Sequence, residues 1–208
     1  AWDFVMTLDQ EWFSTLFGVF FIIGNMHAFL ALMLVISVSV RNSFGIEEYI
    51  TINRLHDLAK LVFAFSLLWA YMGYSQYLVI WYADLPEETP YLVIRSMEQP
   101  WALMFLLIII AVFAIPFLGL LPKTFCRIPN YIRAMGIWVV ISQWFVIYLM
   151  VVPSLQDFGH YHVDMGLHEL LITLGFVGIF FLSYFTFLGK VPILPISDKH
   201  LCRSWHGH

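Results

Sequence analysis

The sequence predicts an all-α, polytopic membrane protein, from its composition, its apolar runs and the positions of its prolines. Hydrophobic residues make up 61% of the 208 residues and charged residues only 12%, where about 25% is ordinary in soluble domains. A soluble domain of this size still leaves roughly a third of its unfolded surface in water, so it could not cover so much apolar area. The apolar runs must be helices, because isolated strands would leave backbone groups unpaired in lipid.

Five apolar runs are long enough to cross about 30 Å of hydrocarbon as helices. The prolines lie in the connections or at the edges of these runs, except Pro116, which interrupts the third. We expect one transmembrane domain over residues 1–208, with a tail at 189–208. The predicted spans are Phe13–Val40, Leu58–Tyr82, Trp101–Leu121, Tyr131–Val152 and His168–Leu188.

The distribution of cations predicts the orientation of these spans. Most Lys and Arg residues lie in the first and third connections and in the tail, whereas the opposite side carries Arg95 among carboxylates. By the positive-inside rule, the N-terminus lies outside and the C-terminus lies in the cytoplasm. The net charge of −4 and the absence of a basic run exclude a typical nucleic-acid-binding protein. The chain begins at Ala1 without signal-peptide features, so we expect a longer chain to precede it.

Ionisable residues inside spans are costly, and His27 is the most central of them. It lies near the middle of the first span, close to Asn25. One interpretation is a proton-relay or cofactor-binding group. The other is an interhelical hydrogen bond that fixes packing, and the sequence leaves both open.

A second group of polar residues lies at the inner end of the second span and along it. Helical spacing lets His56, Asp57 and Lys60 form one ionised cluster at the inner end, which suits proton uptake or an interfacial ion pair. Further along the span, hydroxyl and amide groups could carry protons or bind a quinone carbonyl, and Gly73 permits close approach of another helix. These residues are Tyr71, Ser75 and Gln76.

Two polar connections complete the candidates on the predicted outer side. Glu87 and Glu88 lie close together, which would raise the pKa of one carboxyl and suit transient proton holding; a solvated acidic loop is the alternative. The second connection offers weak candidates for a zinc or copper site, with a polar helix cap as the alternative. The candidate ligands are His160, His162, Asp164 and His168.

Redox cofactors find little support in the residues themselves. The two cysteines form no motif for covalent haem, zinc or iron–sulfur clusters. A haem b would need two histidines at similar depth on facing helices, but His56 and His168 lie at opposite membrane edges from each other and about 15 Å from the depth of His27. We therefore expect no cofactor on this chain.

Several sequence blocks resemble ActF, a family of membrane subunits of alternative complex III, which is a bacterial quinol:cytochrome c oxidoreductase. The similarity lies mainly in the N-terminal half of this chain, with weaker matches near Pro116 and Pro195, and corresponds to the C-terminal half of the family's usual length. The similar blocks are Leu8–Val19, His56–Leu61, Trp69–Tyr71, Ser75–Tyr77, Ile80–Ala83 and Leu85–Thr89.

The resemblance implies a fold of the polysulfide-reductase membrane type, here one four-helix bundle plus one helix, in the cytoplasmic membrane. It implies that quinol, haem c and iron–sulfur clusters bind to partner subunits: a homologous membrane subunit, an iron–sulfur subunit, and multihaem and monohaem cytochromes c. It also implies contact with lipids and the quinone pool, and a proton path. The candidate members of this path that the resemblance implies are His56, Asp57, Lys60, Tyr71, Ser75, Gln76, Glu87 and Glu88. A structural scaffold and an independent proton-coupled transporter are the alternatives.

Overall fold

The structure is a computed structural model that describes residues 1–9, 12–156 and 166–190. Every regular element in these residues is helical, and five helical stretches are long and apolar enough to cross a membrane, which confirms the all-α polytopic fold. The α-helices are α1 Thr15–Phe44, α2 Ile52–Ala83, α3 Thr89–Ser96, α4 Trp101–Ile109, α5 Ile115–Leu120, α6 Pro129–Val151 and α7 Leu167–Leu188. Shorter elements are the π-helix Ile110–Ala114 and the 3₁₀ turns Met6–Leu8, Phe125–Arg127 and Val152–Leu155.

The helices begin and end where local backbone chemistry requires it. Gly45 ends α1 with a φ of 62°, a left-handed conformation that costs glycine nothing. Asp84 ends α2 in the same region, with a φ of 47°, which Asp tolerates better than most residues. The second helix begins at Ile52 rather than at the predicted Leu58, because its first turns are polar and extend beyond the apolar run.

The chain divides into two units, Ala1–His162 and Val163–His208. In the first unit, α1 packs along both α2 and α6, and the third span (α4, the π-helix and α5) packs against α2 and α6. Successive spans cross a membrane in opposite directions, so these four spans form an up-and-down bundle. The prediction of one domain over residues 1–208 stays a prediction.

The bundle core consists of two hydrophobic clusters, one toward each end. The cluster at the predicted outer end includes Phe17, Trp69 and Trp101, and the one at the predicted inner end includes Leu34, Val62 and Ile132. Close packing of α1 and α6 in the inner half requires Gly136, since a Cβ there would lie 2.9 Å from the carbonyl oxygen of Ala31.

A short helix, α3, lies where the sequence predicted only a connection. Pro90 occupies its first turn, where a missing N–H does no damage, and its last turn carries Arg95. Tyr91 and Arg95 are buried, so α3 covers part of the predicted outer end of the bundle.

In the second unit, the described residues 166–190 consist almost entirely of α7. Gly166 precedes its first residue, and Glu169 lies in its first turn, where a carboxylate complements the helix dipole. Aromatic rings stack along the helix at one-turn spacing, with 6.2 Å between the ring centroids of Phe180 and Tyr184 and 6.0 Å between those of Phe181 and Phe185. The helix is long and apolar enough to cross a membrane, which confirms the fifth predicted span.

Candidate functional site

His27 lies at the junction of the two hydrophobic clusters. On α1 it stands between Ile23 of the outer cluster and Ala31 of the inner cluster, and it is fully buried. The facing helices also carry buried polar side chains at this junction: Ser66 on α2, and Ser142 and Gln143 on α6. The bundle core therefore has a polar layer at about half its height, defined by these four residues.

The imidazole of His27 is bonded to α6. Its Nδ1 lies 3.0 Å from Nε2 of Gln143, which is itself buried. Because an amide nitrogen only donates, Nδ1 accepts this bond and the ring proton lies on Nε2. Within the described part of the chain, Nε2 has no hydrogen-bond partner. His27 thus makes the interhelical bond that one interpretation predicted, through one of its two ring nitrogens.

The two serines of the polar layer serve their own helices. The hydroxyl of Ser66 donates to the carbonyl oxygen of Phe63, and that of Ser142 donates to the carbonyl oxygen of Trp138, each at 2.8 Å. Neither hydroxyl needs another helix to satisfy its donor. The chemistry of the layer therefore rests on His27 and Gln143.

A narrow cleft opens beside Gln143. Its lining includes Gly24, Asn25 and Trp69, and it offers about 20 Å³ to the centre of a water-sized molecule. That is room for about one water. A quinone ring needs a pocket of about 300 Å³ or more, so this cleft is too small for a quinone.

In the predicted inner cluster, Lys60 and Asp57 form an ion pair. Lys60 Nζ donates to Asp57 Oδ1 at 2.9 Å, and both side chains are well exposed. His56 is half-buried, and its Nδ1 has no hydrogen-bond partner among the described residues. The ion pair lies on the surface of the bundle, as an interfacial pair does.

The polar residues of the second span divide between two sides of α2. At about 100° per residue, Asp57, Lys60, Tyr71 and Ser75 lie opposite the buried stripe that contains Val62, Ser66, Trp69 and Gln76. Tyr71 is 64% exposed, and the hydroxyl of Ser75 donates to the carbonyl oxygen of Tyr71. We call Asp57, Lys60, Tyr71 and Ser75 the outward face of α2. Of the predicted residues on the second span, only Gln76 belongs to this buried stripe.

The remaining predicted residues lie at the predicted outer end or outside the described residues. Glu87 is exposed and Glu88 half-buried, in the connection before α3. His160, His162 and Asp164 lie outside the described residues, and His168 lies in the first turn of α7. Across residues 1–9, 12–156 and 166–190, no three His, Cys, Asp or Glu side chains gather as metal ligands.

The structure also reveals a buried cation that the sequence analysis placed only on an outer loop. Arg95 donates to the carbonyl oxygens of Leu149, Met150 and Tyr91 and to Oγ of Ser154, at 2.6–3.1 Å. Its guanidinium lies 3.5 Å from the ring centroid of Tyr91, and that ring stacks on Trp12 at 3.7 Å. Arg95 thereby binds the C-terminal carbonyls of α6, where a cation complements the helix dipole.

Sequence reasoning missed Gln143, and it did not predict that Trp69 lines a cleft beside it. An amide in the middle of an apolar run was a usable signal, since polar groups at this depth need partners. The pairing of Gln143 with His27 was not predictable from the sequence, because it depends on the relative rotation of α1 and α6.

No family model matches the chain, and no curated protein matches it.

Proposed function

We propose that this chain is a cofactor-free integral membrane subunit of a bacterial quinol:cytochrome c oxidoreductase of the alternative complex III type. It lies in the cytoplasmic membrane and contributes the central part of a proton path. Quinol oxidation, haem c and the iron–sulfur clusters belong to its partners: the homologous membrane subunit, the iron–sulfur subunit and the cytochrome c subunits. The sequence blocks that resemble the ActF family support the identity of the complex.

One observation supports the proton-path role: the buried His27, bonded through Nδ1 to Gln143 and carrying a free N–H on Nε2. An imidazole at the membrane midplane is costly unless it is used, because a leucine would pack there without a polar penalty. The two ring nitrogens of a histidine allow proton uptake on one side and release on the other.

The test is proton release by the intact complex reconstituted in vesicles and driven by quinol. His27→Gln keeps a polar side chain but cannot carry a proton, so we expect most of the proton release per electron to be lost. Haem and iron–sulfur content, measured by visible and electron paramagnetic resonance spectra, should not change. Ser66→Ala is the matched control, since it removes another fully buried polar group from the same layer.

Proton uptake at the inner end is tested in the same vesicles. His56→Gln and Asp57→Asn should each lower proton release while leaving the cofactors intact. Unchanged proton release in His27→Gln would contradict the central role, and unchanged release in both inner variants would remove the uptake site.

A structural scaffold is the second candidate, and the outward face of α2 favours it. An ion pair and a tyrosine on the bundle surface suit contact with another protein better than contact with lipid tails. This candidate predicts that Tyr71→Leu with Ser75→Leu reduces recovery of partner subunits during purification. The control pair Leu103→Ala and Leu106→Ala, exposed on α4 rather than on this face of α2, should leave recovery unchanged.

A further inference from the structure

We infer that the cleft beside Gly24 binds one ordered water molecule, which bridges the indole N–H of Trp69 and the side-chain carbonyl of Gln143. The water site stands on geometry alone. Its role beside His27 rests on the proposed function, because only protonation of His27 on Nδ1 requires the Gln143 amide to turn over.

The first support is a buried donor that lacks a protein partner. Trp69 is 6% exposed and lines the cleft, and its Nε1 has no hydrogen-bond partner among the described residues. Leaving such a group unsatisfied costs about 1–3 kcal/mol. Buried tryptophans usually find a partner for this N–H, and a water in the cleft supplies one.

The second support is the orientation of the Gln143 amide. Its nitrogen donates to His27, so its oxygen points to the other side, toward Gly24. A Cβ built on Gly24 would lie 3.4 Å from Oε1 of Gln143 and 3.6 Å from Nε1 of Trp69. An acceptor and a donor therefore flank the same small space, and one water there accepts from Trp69 and donates to Gln143.

The third support is the glycine itself. At Gly136 a Cβ would strike backbone, so helix packing explains that residue. At Gly24 a Cβ would make only ordinary van der Waals contacts, so packing does not require a glycine. Gly24 instead leaves open the space beside Oε1 of Gln143 and Nε1 of Trp69. Asn25, exposed and also lining the cleft, places this space within reach of the bundle surface.

The resulting chain of hydrogen bonds runs from Trp69 through the water and the Gln143 amide to Nδ1 of His27. If His27 takes a proton on Nδ1, the Gln143 amide must turn over so that its oxygen accepts from the imidazolium. Its nitrogen then faces the water, which turns to accept. The water lets the amide be satisfied in both orientations.

The experiment combines a structure of the native assembly, at a resolution that shows ordered water, with ultraviolet resonance Raman spectra of the Trp69 indole. Spectra of Trp69→Phe identify the Trp69 bands by subtraction. We expect a water peak between Trp69 and Gln143 and a band position typical of a hydrogen-bonded indole. Gly24→Ala should remove the peak and shift the band to that of an unbonded indole. Gly175→Ala on α7, where a Cβ meets nothing within 4 Å, should change neither.

The inference is overturned if wild-type protein shows no water and an unbonded indole, or if the water keeps its place in Gly24→Ala. Should Gly24→Ala fail to fold, the wild-type peak and band still decide, and Gln143→Met, which removes the acceptor, should abolish the peak. The proposed function fails separately: a water that is present together with full proton release in His27→Gln supports the water site and contradicts the proton path.

Discussion

The guanidinium of Arg95 replaces water for the last carbonyls of α6. Its partners belong to α3, α6 and the following turn, so this side chain joins three segments at one end of the bundle. Buried cations are stable in proteins only with such a full set of acceptors. Its planar shape matters, because the donors must reach carbonyls in several directions while the face rests on the ring of Tyr91.

Arg95→Lys should therefore destabilise the protein, although it keeps the charge. Lysine has three donors and no flat face, so we expect the free energy of unfolding to fall by about 2–4 kcal/mol, with a lower midpoint of thermal unfolding. Arg127→Lys is the control, since Arg127 is exposed. An unchanged midpoint in Arg95→Lys would show that the charge alone suffices.

Two buried groups outside the spans predict a loss of stability in alkali. Burial raises the pKa of the Cys126 thiol, and burial raises the pKa of Tyr91, which Arg95 partly offsets. A group with a raised pKa in the folded state binds its proton more tightly there than when unfolded. Its stabilising contribution is present below the unfolded pKa and is lost as pH rises through the folded pKa.

We therefore expect the midpoint of thermal unfolding to fall as pH rises above about 9, where thiols and then phenols ionise. Cys126→Ala combined with Tyr91→Phe should flatten this fall, whereas Tyr82→Phe, at an 84% exposed residue, should not. An equally steep fall in the double variant would assign the alkaline loss to other groups.

At the scale of the element, a hydrogen bond from Trp138 replaces the backbone bond that Pro116 cannot make in the third span. In the π-helix, Ile115 N–H donates to the carbonyl oxygen of Ile110, so the next such bond would run from residue 116 to Ala111. Proline has no N–H to give. Nε1 of Trp138 on α6 donates to the oxygen of Ala111 instead, at 2.9 Å. The irregular segment thereby becomes a contact between two helices.

A double-mutant cycle tests this compensation. Trp138→Phe alone leaves the carbonyl of Ala111 without its donor and should lower the free energy of unfolding by about 1–3 kcal/mol. In a Pro116→Ala background, the new N–H satisfies that carbonyl or restores regular helix, so the same substitution should cost much less. Equal costs in both backgrounds, measured by thermal unfolding in one detergent, would contradict the compensation.

The existence of the five spans was predictable from sequence, because a long apolar run in lipid has no alternative to a helix. The short helix α3 was not, since its residues become buried only after four spans have assembled beneath them. Pro116 indicated an irregular third span. The π-helix and its bond to Trp138 were not predictable, because Trp138 lies on another helix. Likewise His27 was recognisable because an ionisable residue in the middle of a span is energetically costly. Its bond to Gln143 and the neighbouring cleft were not predictable, because both depend on tertiary packing.

In the whole bundle, every span departs from simple apolar packing at one level. Three of the four spans contribute the residues of the polar layer, which are His27, Ser66, Ser142 and Gln143. The remaining one, the third span of the chain, contributes the buried Pro116, which lies between Val112 of the outer cluster and Leu120 of the inner one. Two hydrophobic clusters therefore enclose a polar layer. A proton crossing the bundle would need to reach this layer from both ends, and Tyr71 and Ser75 lie on the side of α2 opposite its buried stripe.

Orientation in the membrane decides which end takes up protons, and the charge distribution predicts it. Arg95, the cation on the predicted outer side, is buried in the fold, so it does not offer the exposed charge that retains a loop in the cytoplasm.

With the native cysteines replaced, Glu87→Cys should react with a membrane-impermeant maleimide in intact spheroplasts. Lys123→Cys should react only after permeabilisation. Both positions are exposed, so accessibility to water is matched. The reverse pattern would place His56 and Asp57 outside and turn the proposed uptake site into a release site.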